Sequence, residues 1–201
     1  IRQAENVRLN VNLLGEAILG KEEAARRLEG TRRLLQRNDV DYVSIKVSST
    51  VAPHSPWAFD EAVADAAEAL RPLYEIAVKG DKFINLDMEE YKDLDLTIAV
   101  FTRILEDPRL KNLEAGIVLQ TYLPDALPAL QELTAWARER VEYGGAPIKV
   151  RLVKGANLAM EKVDAVMHGW PQAPYSTKLD TDANYLRCLD EALQPRNIEA
   201  V

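Results

Sequence analysis

The chain has 201 residues, 47% of them hydrophobic and 28% charged, which is ordinary for a globular protein long enough to bury one sizeable core. A formal net charge of −7, with no dense basic cluster, argues against broad nucleic-acid binding. No apolar run approaches the roughly 20 residues that would span a bilayer, and no secretion signal is visible. The single cysteine, Cys188, can form no internal disulfide; it is read as a buried, inert thiol in a helix, suiting a reducing cytosol. His54 and His168 have no neighbours at metal-ligand spacing, so no metal site is expected. Neither a Gly-Xaa-Gly-Xaa-Xaa-Gly nor a Walker-type loop is present, so a nucleotide would need another device to hold it.

The first strand is predicted at Val7 to Leu13, with Arg8, Asn10 and Asn12 opposite Val7, Leu9 and Val11. Lys21 to Arg37 follows as a helix, burying Ala24, Ala25, Leu28, Leu34 and Leu35. Its Arg26, Arg27, Arg32 and Arg33 mix with Glu22, Glu23 and Glu29 on a solvated face. The second strand, Tyr42 to Val47, sets Val43, Ile45 and Val47 against Ser44, Lys46 and Ser48. A loop with Pro53 and Pro56 leads to a helix from about Trp57 to Ala77, closed by Gly80 as a C′ glycine. The third strand is Phe83 to Asp87, then a helix of about Leu94 to Leu105 that stops before Pro108. The fourth strand is Gly116 to Thr121, with a helix of about Ala126 to Tyr143 after it.

Ile148 to Asn157 reads as a fifth strand running into a glycine turn. Ile148, Val150 and Leu152 alternate with Lys149, Arg151 and Val153. Gly155 permits a close backbone approach, and Asn157 is a candidate N-cap for a helix containing Leu158 to Met167. Such a turn, with two cations beside a helix N-terminus, suits an anionic or electron-rich ligand. An ordinary βα turn carrying a surface ion pair fits the same residues. His168 to Pro174 is an irregular loop, Thr181 to Leu193 a last helix, and Ile198 to Val201 the expected start of a sixth strand.

Strand, loop and helix repeat five times, the pattern of right-handed βαβ units on a parallel sheet. An open doubly wound sheet and a (βα)8 barrel both fit it. Open sheets are covered on both faces and their strands tend to be apolar throughout. Here each strand keeps one partly polar face, which favours a (βα)8 TIM-type barrel, of which this chain would cover about the first five βα units. Lys46, Asp87, Gln120 and Arg151 stand at or near the carboxyl ends of successive strands on that polar face, where barrel enzymes place their sites. An ion-paired network that merely fills the barrel is the plainer reading of the same charges, and it is compatible with a substrate site.

Asp87-Met-Glu-Glu-Tyr91, Val118-Leu-Gln-Thr-Tyr-Leu-Pro-Asp125 and Val150-Arg-Leu-Val-Lys-Gly-Ala156 resemble the flavin-dependent proline dehydrogenases, in particular that region of the bifunctional proline-utilisation enzymes. Asn12-Leu-Leu-Gly-Glu16 and Ile45-Lys-Val47 match earlier strands of the same pattern. The resemblance covers nearly the whole chain in order. It implies a distorted (βα)8 barrel with FAD at its mouth, oxidising L-proline to 1-pyrroline-5-carboxylate by hydride transfer to the flavin. Carried over by motif, Lys46 contacts the proline carboxylate and Asp87 belongs to the charge network on the substrate side. Arg151 lies against the flavin ring and stabilises its reduced, anionic form. Met88 and Gln120 flank the ring, while Lys154, Gly155 and Ala156 hold the cofactor; Tyr175 and Ser176 approach it. The resemblance further implies a quinone acceptor and peripheral association with the inner face of the membrane from a cytoplasmic location; a homo-oligomer is compatible with open strand edges.

Two departures qualify this. Many members follow Gly-Ala with an aromatic pair where this chain has Asn157-Leu158. The family's later strands, its Ser/Thr-His-Asn segment and its paired arginines have no counterpart in these residues, nor has an aldehyde dehydrogenase domain. The expectation is therefore a partial proline dehydrogenase domain over residues 1–201 that alone binds FAD weakly, turns over little, and exposes strand edges to other chains. Two other functions fit less of the sequence. One is a barrel aldolase or lyase using Lys46 or Lys154 as a Schiff-base nucleophile. The other is a non-catalytic half-barrel that acts as an assembly module.

Overall fold

The computed structural model describes residues 8–13, 20–49 and 57–201. The chain divides into two compact units, residues 1–87 with 95–116, and residues 88–94 with 117–201. The first contains β1 (Asn10–Asn12), α1 (Lys21–Leu35), β2 (Tyr42–Lys46), α2 (Phe59–Gly80), β3 (Phe83–Asp87) and all but the first residue of α3 (Leu94–Leu105). The boundary runs through β4 (Ala115–Gln120), whose first two residues belong to the first unit. The second unit holds the rest of β4, α4 (Ala126–Glu142), β5 (Ile148–Val153), α5 (Leu158–His168) and α6 (Lys178–Ala192).

In the first unit β1, β2 and β3 lie side by side and parallel. Their register aligns the polar positions in rows. Asn12 is opposite Ser44, Ser44 is opposite Asn85, and Lys46 is opposite Asp87. Because side chains alternate along a strand, each row stays on one face. The Asn10 amide donates to the Ser44 hydroxyl at 2.8 Å, satisfying a side chain that is only 2% exposed. The apolar core of this unit gathers Leu35, Leu70, Tyr74, Ile84, Phe101 and Ile104, all fully buried. Arg71 and Arg109 both hold Asp107, at 2.6 Å each, and keep its carboxyl well below the usual range. In the second unit β4 and β5 are neighbours, and Leu119, Leu123, Leu130 and Ala137 close the core.

β3 and α3 occupy the predicted residues; several other elements differ in ways that have physical causes. β1 is confined to Asn10–Asn12, and the predicted start at Val7 lies outside the described residues. In α1 only Ala24, Thr31 and Leu35 are buried, a narrow line along the helix; Ala25 is exposed and Leu28 and Leu34 are half-buried. Glu23 and Glu29, each paired with two arginines, fill the remaining face. Gly80 does not cap α2. It is the last helical residue, and Asp81 takes the left-handed conformation at φ 50° and ψ 50°, which aspartate tolerates better than most side chains. β4 is buried at every position rather than along one face. α6 starts three residues before its predicted position because Thr177 caps it, its hydroxyl accepting from the Asp180 N–H at 3.1 Å. Residues 198–201 form turns, not a strand; the Ala200 carbonyl nonetheless accepts from the Ile148 N–H at the start of β5, at 2.9 Å. Cys188 is fully buried, and burial pushes its thiol up to about 11.

Candidate functional site

In the first unit the site begins with Asn85. This side chain is fully buried, and its amide donates to an Asp87 carboxylate oxygen at 2.5 Å. Two residues apart on one strand, the pair shares a face, so the amide fixes the direction of the carboxylate. Gly116 makes room for Asn85: a Cβ there would lie 2.5 Å from the Asn85 Oδ1 and 2.9 Å from the Phe83 ring. Lys46, half-buried, ends β2 directly across from Asp87 at the end of β3. A cation and an anion are thus brought together at the carboxyl ends of adjacent parallel strands, as the sequence predicts for Lys46 and Asp87.

In the second unit Met88 is 6% exposed and Gln120 is 2% exposed. Gln120 is engaged at both ends of its amide. Its Nε2 donates to the Glu89 carbonyl at 2.8 Å, and its Oε1 accepts from the Ala156 N–H at 3.3 Å. The amide therefore ties the segment after β3 to the turn after β5, a structural duty that its sequence position does not reveal. Arg151 is half-buried in β5. Gly155 turns the chain at φ +124°, a conformation that favours glycine. Lys154 is 51% exposed and pairs with Asp182 of α6 at 2.5 Å, and its ammonium stands 6.0 Å from the centre of the Tyr185 ring. Asn157 occupies the N-cap position of α5, but its side chain makes no capping bond, so the first-turn N–H groups are not covered by it.

Three further features lay beyond the sequence reading. Asn184 of α6 is 2% exposed and donates to the carbonyls of Thr121 and Leu123, at 2.9 and 3.0 Å, fixing the chain that leaves β4. Glu161 of α5 accepts from the Tyr91 N–H at 2.7 Å and approaches Asp93. Burial, then Glu90, with smaller contributions from Glu161 and Glu89, pushes the Asp93 carboxyl up to about 6 against the opposing pull of Lys92. Tyr122 packs under Gly155. Only the last left a sequence signal, a glycine directly after Lys154.

Among the described residues no group of three or more His, Cys, Asp or Glu side chains could hold a metal, and no helix is long and apolar enough to cross a membrane. Lys154 is not in the desolvated setting a Schiff-base nucleophile needs: it is exposed and ion-paired. The residues of the second unit fit a planar, anionic dinucleotide. The α5 N-terminus is uncapped by Asn157, and two cations, Arg151 and Lys154, precede the turn. The pair of Lys154 with Asp182 is exposed to solvent, where ion pairs are weak.

The proline dehydrogenase family profile matches residues 1–201. The bifunctional PutA proteins of Klebsiella aerogenes and Escherichia coli are each 29% identical over 161 residues, covering 78% of this chain and 12% of the relative. Among solved structures, proline utilization A from Corynebacterium freiburgense is 55% identical with a TM-score of 0.94, covering 98% of this chain and 21% of that one. Proline utilization A from Bdellovibrio bacteriovorus, inactivated by N-propargylglycine, is 33% identical with a TM-score of 0.85, over 95% of this chain and 22% of that one. The chain therefore spans about an eighth of the curated relatives and a fifth of the solved ones. The five βα units have the fold of the corresponding part of a TIM-type barrel. From its first residue to its last, the chain belongs to the proline dehydrogenase family.

Proposed function

We propose that this chain serves the oxidation of L-proline to 1-pyrroline-5-carboxylate with FAD as its cofactor. The observation that carries the reading is the registered pair of Lys46 and Asp87 at the carboxyl ends of β2 and β3, in a chain of the proline dehydrogenase family. Proline is a zwitterion, and this pair offers one charge for each of its own. The Lys46 ammonium takes the carboxylate, and Asp87, aimed by Asn85, faces the amine side. FAD, when bound, supplies the acceptor for the hydride that leaves the carbon beside the ring nitrogen. Arg151 places positive charge where negative charge grows during the transfer, the same electrostatic logic as an oxyanion hole. Met88 supplies apolar wall, Gln120 braces the turn, and Lys154, Gly155 and Ala156 receive the dinucleotide with charge and backbone. Family resemblance adds a quinone acceptor reached by peripheral association with a membrane from the cytoplasmic side.

The deciding experiment is the near-ultraviolet and visible absorbance of the purified protein, with and without added FAD, followed by addition of proline. A flavin band that bleaches with proline supports the reading. A protein that takes up FAD but is not bleached refutes proline as substrate, and one that ignores FAD refutes cofactor binding by residues 1–201 on their own.

A further inference from the structure

We propose that Tyr122 is the positioning residue of the turn between β5 and α5: its ring is the floor that holds Gly155 and Ala156 in the shape that receives the flavin. This rests on the reading above, and it concerns a residue to which neither the motif nor the family resemblance assigned a role.

The ring and the turn are fitted to each other. A Cβ built on Gly155 would lie 2.5 Å from the Tyr122 Cγ and 2.6 Å from both Cδ1 and Cδ2. Near-equal distances to those three carbons mean that the ring lies flat beneath the glycine. The same glycine is at φ +124°, so both its conformation and its neighbour exclude a side chain. The backbone of Tyr122 is held on two sides. Its N–H donates to the Lys154 carbonyl at 2.8 Å, and its carbonyl accepts from the Tyr175 N–H at 2.8 Å. Gln120, two residues earlier, takes the Ala156 N–H at 3.3 Å. The turn is thus braced by an aromatic face under Gly155 and an amide under Ala156, both delivered by the end of β4.

The hydroxyl has a different character. Tyr122 is 4% exposed, and its oxygen lies near the Asn157 N–H and the Gln120 amide without a fully formed hydrogen bond to either. Burial first, then the charge of Glu161, pushes its ionisation up to about 12, so the group stays neutral. A neutral hydroxyl without a firm partner contributes little to the turn; the flat ring contributes the contact.

The test compares Tyr122→Leu and Tyr122→Phe with the wild type by FAD titration and by the fine structure of the bound flavin spectrum, with circular dichroism and melting curves to establish folding. Folded Tyr122→Leu is expected to bind FAD about tenfold more weakly and with an altered flavin spectrum, because leucine fills volume without presenting a flat face. Tyr122→Phe is expected to restore both affinity and spectrum. Wild-type affinity and spectrum in folded Tyr122→Leu would overturn the proposal, and so would Tyr122→Phe as weak as Tyr122→Leu, since the hydroxyl would then be the active part. If Tyr122→Leu fails to fold, Gly155→Ala, which forces a methyl onto the same ring, must weaken FAD binding; unchanged affinity overturns the proposal. A wild type that takes up no FAD is a different failure, that of the cofactor reading itself, and is seen before any variant is made.

Discussion

Replacing Tyr74 by phenylalanine should make the protein more stable. Tyr74 lies in α2 with no exposed surface, and its hydroxyl finds no hydrogen-bond partner among the described residues. Burial alone drives its ionisation far above the ordinary phenol value, the mark of an oxygen taken out of water with nothing in exchange. An unsatisfied buried polar group costs about 1–3 kcal/mol. Removing the oxygen vacates about 15 Å³, which costs about 0.4 kcal/mol at roughly 24 cal/mol per Å³. The balance favours Tyr74→Phe by about 0.6–2.6 kcal/mol. In a chain of 201 residues each kcal/mol moves Tm by about 2–4 °C, so the midpoint should rise by several degrees. Thermal melts followed by far-ultraviolet circular dichroism, with urea midpoints as a second measure, would read it. A midpoint lower than the wild type's would refute the reasoning, because it would mean that the hydroxyl is satisfied, for example by a buried water.

Other expectations come from single contacts. Asn184→Leu strips the Thr121 and Leu123 carbonyls of their donor and should cost about 2–3 kcal/mol in urea unfolding; no loss would mean that α6 is held by apolar packing alone. Asp93 has a folded pKa of about 6 against an ordinary 3.8, so the folded state binds more protons and stability falls as pH rises through that interval. Asp93→Asn should flatten the fall and raise Tm at neutral pH, and an unchanged slope would show that another group causes it. Cys188, fully buried with a raised pKa, should be silent to a disulfide-exchange reagent until denaturant is added; rapid labelling of the native protein would contradict its placement.

The parts of the fold that follow local rules were legible in the sequence. β3 and α3 are where alternation and 3.6-residue periodicity put them. Lys46 and Asp87 were legible as a pair because parallel register and period-2 alternation carry both to one face at one end. What could not be read depends on contacts made across long stretches of chain. Gly80 has the composition of a cap, yet Asp81 takes the left-handed turn, a choice between two tolerant residues that local preference does not decide. The Gln120 amide bonds to residues 31 and 36 positions away, so no spacing rule could show that it also braces the protein internally. Tyr122 stood inside a motif with no role of its own; its importance lies in the ring face it turns to Gly155, 33 positions along the chain.

The pairing of Lys46 with Asp87 makes strand length itself a functional variable. Both charges are aligned only because β2 and β3 count residues in step from Tyr42 opposite Phe83 to their shared end. Deleting one residue within β2 would change no side-chain chemistry, yet it would rotate Lys46 to the opposite face of the sheet. The same deletion in the turn between α1 and β2 could be absorbed by the loop. Tolerance of insertions and deletions along this chain should therefore map the charge pair as sharply as substitution of the charges does, with the intolerant positions lying between Tyr42 and Lys46 and between Phe83 and Asp87.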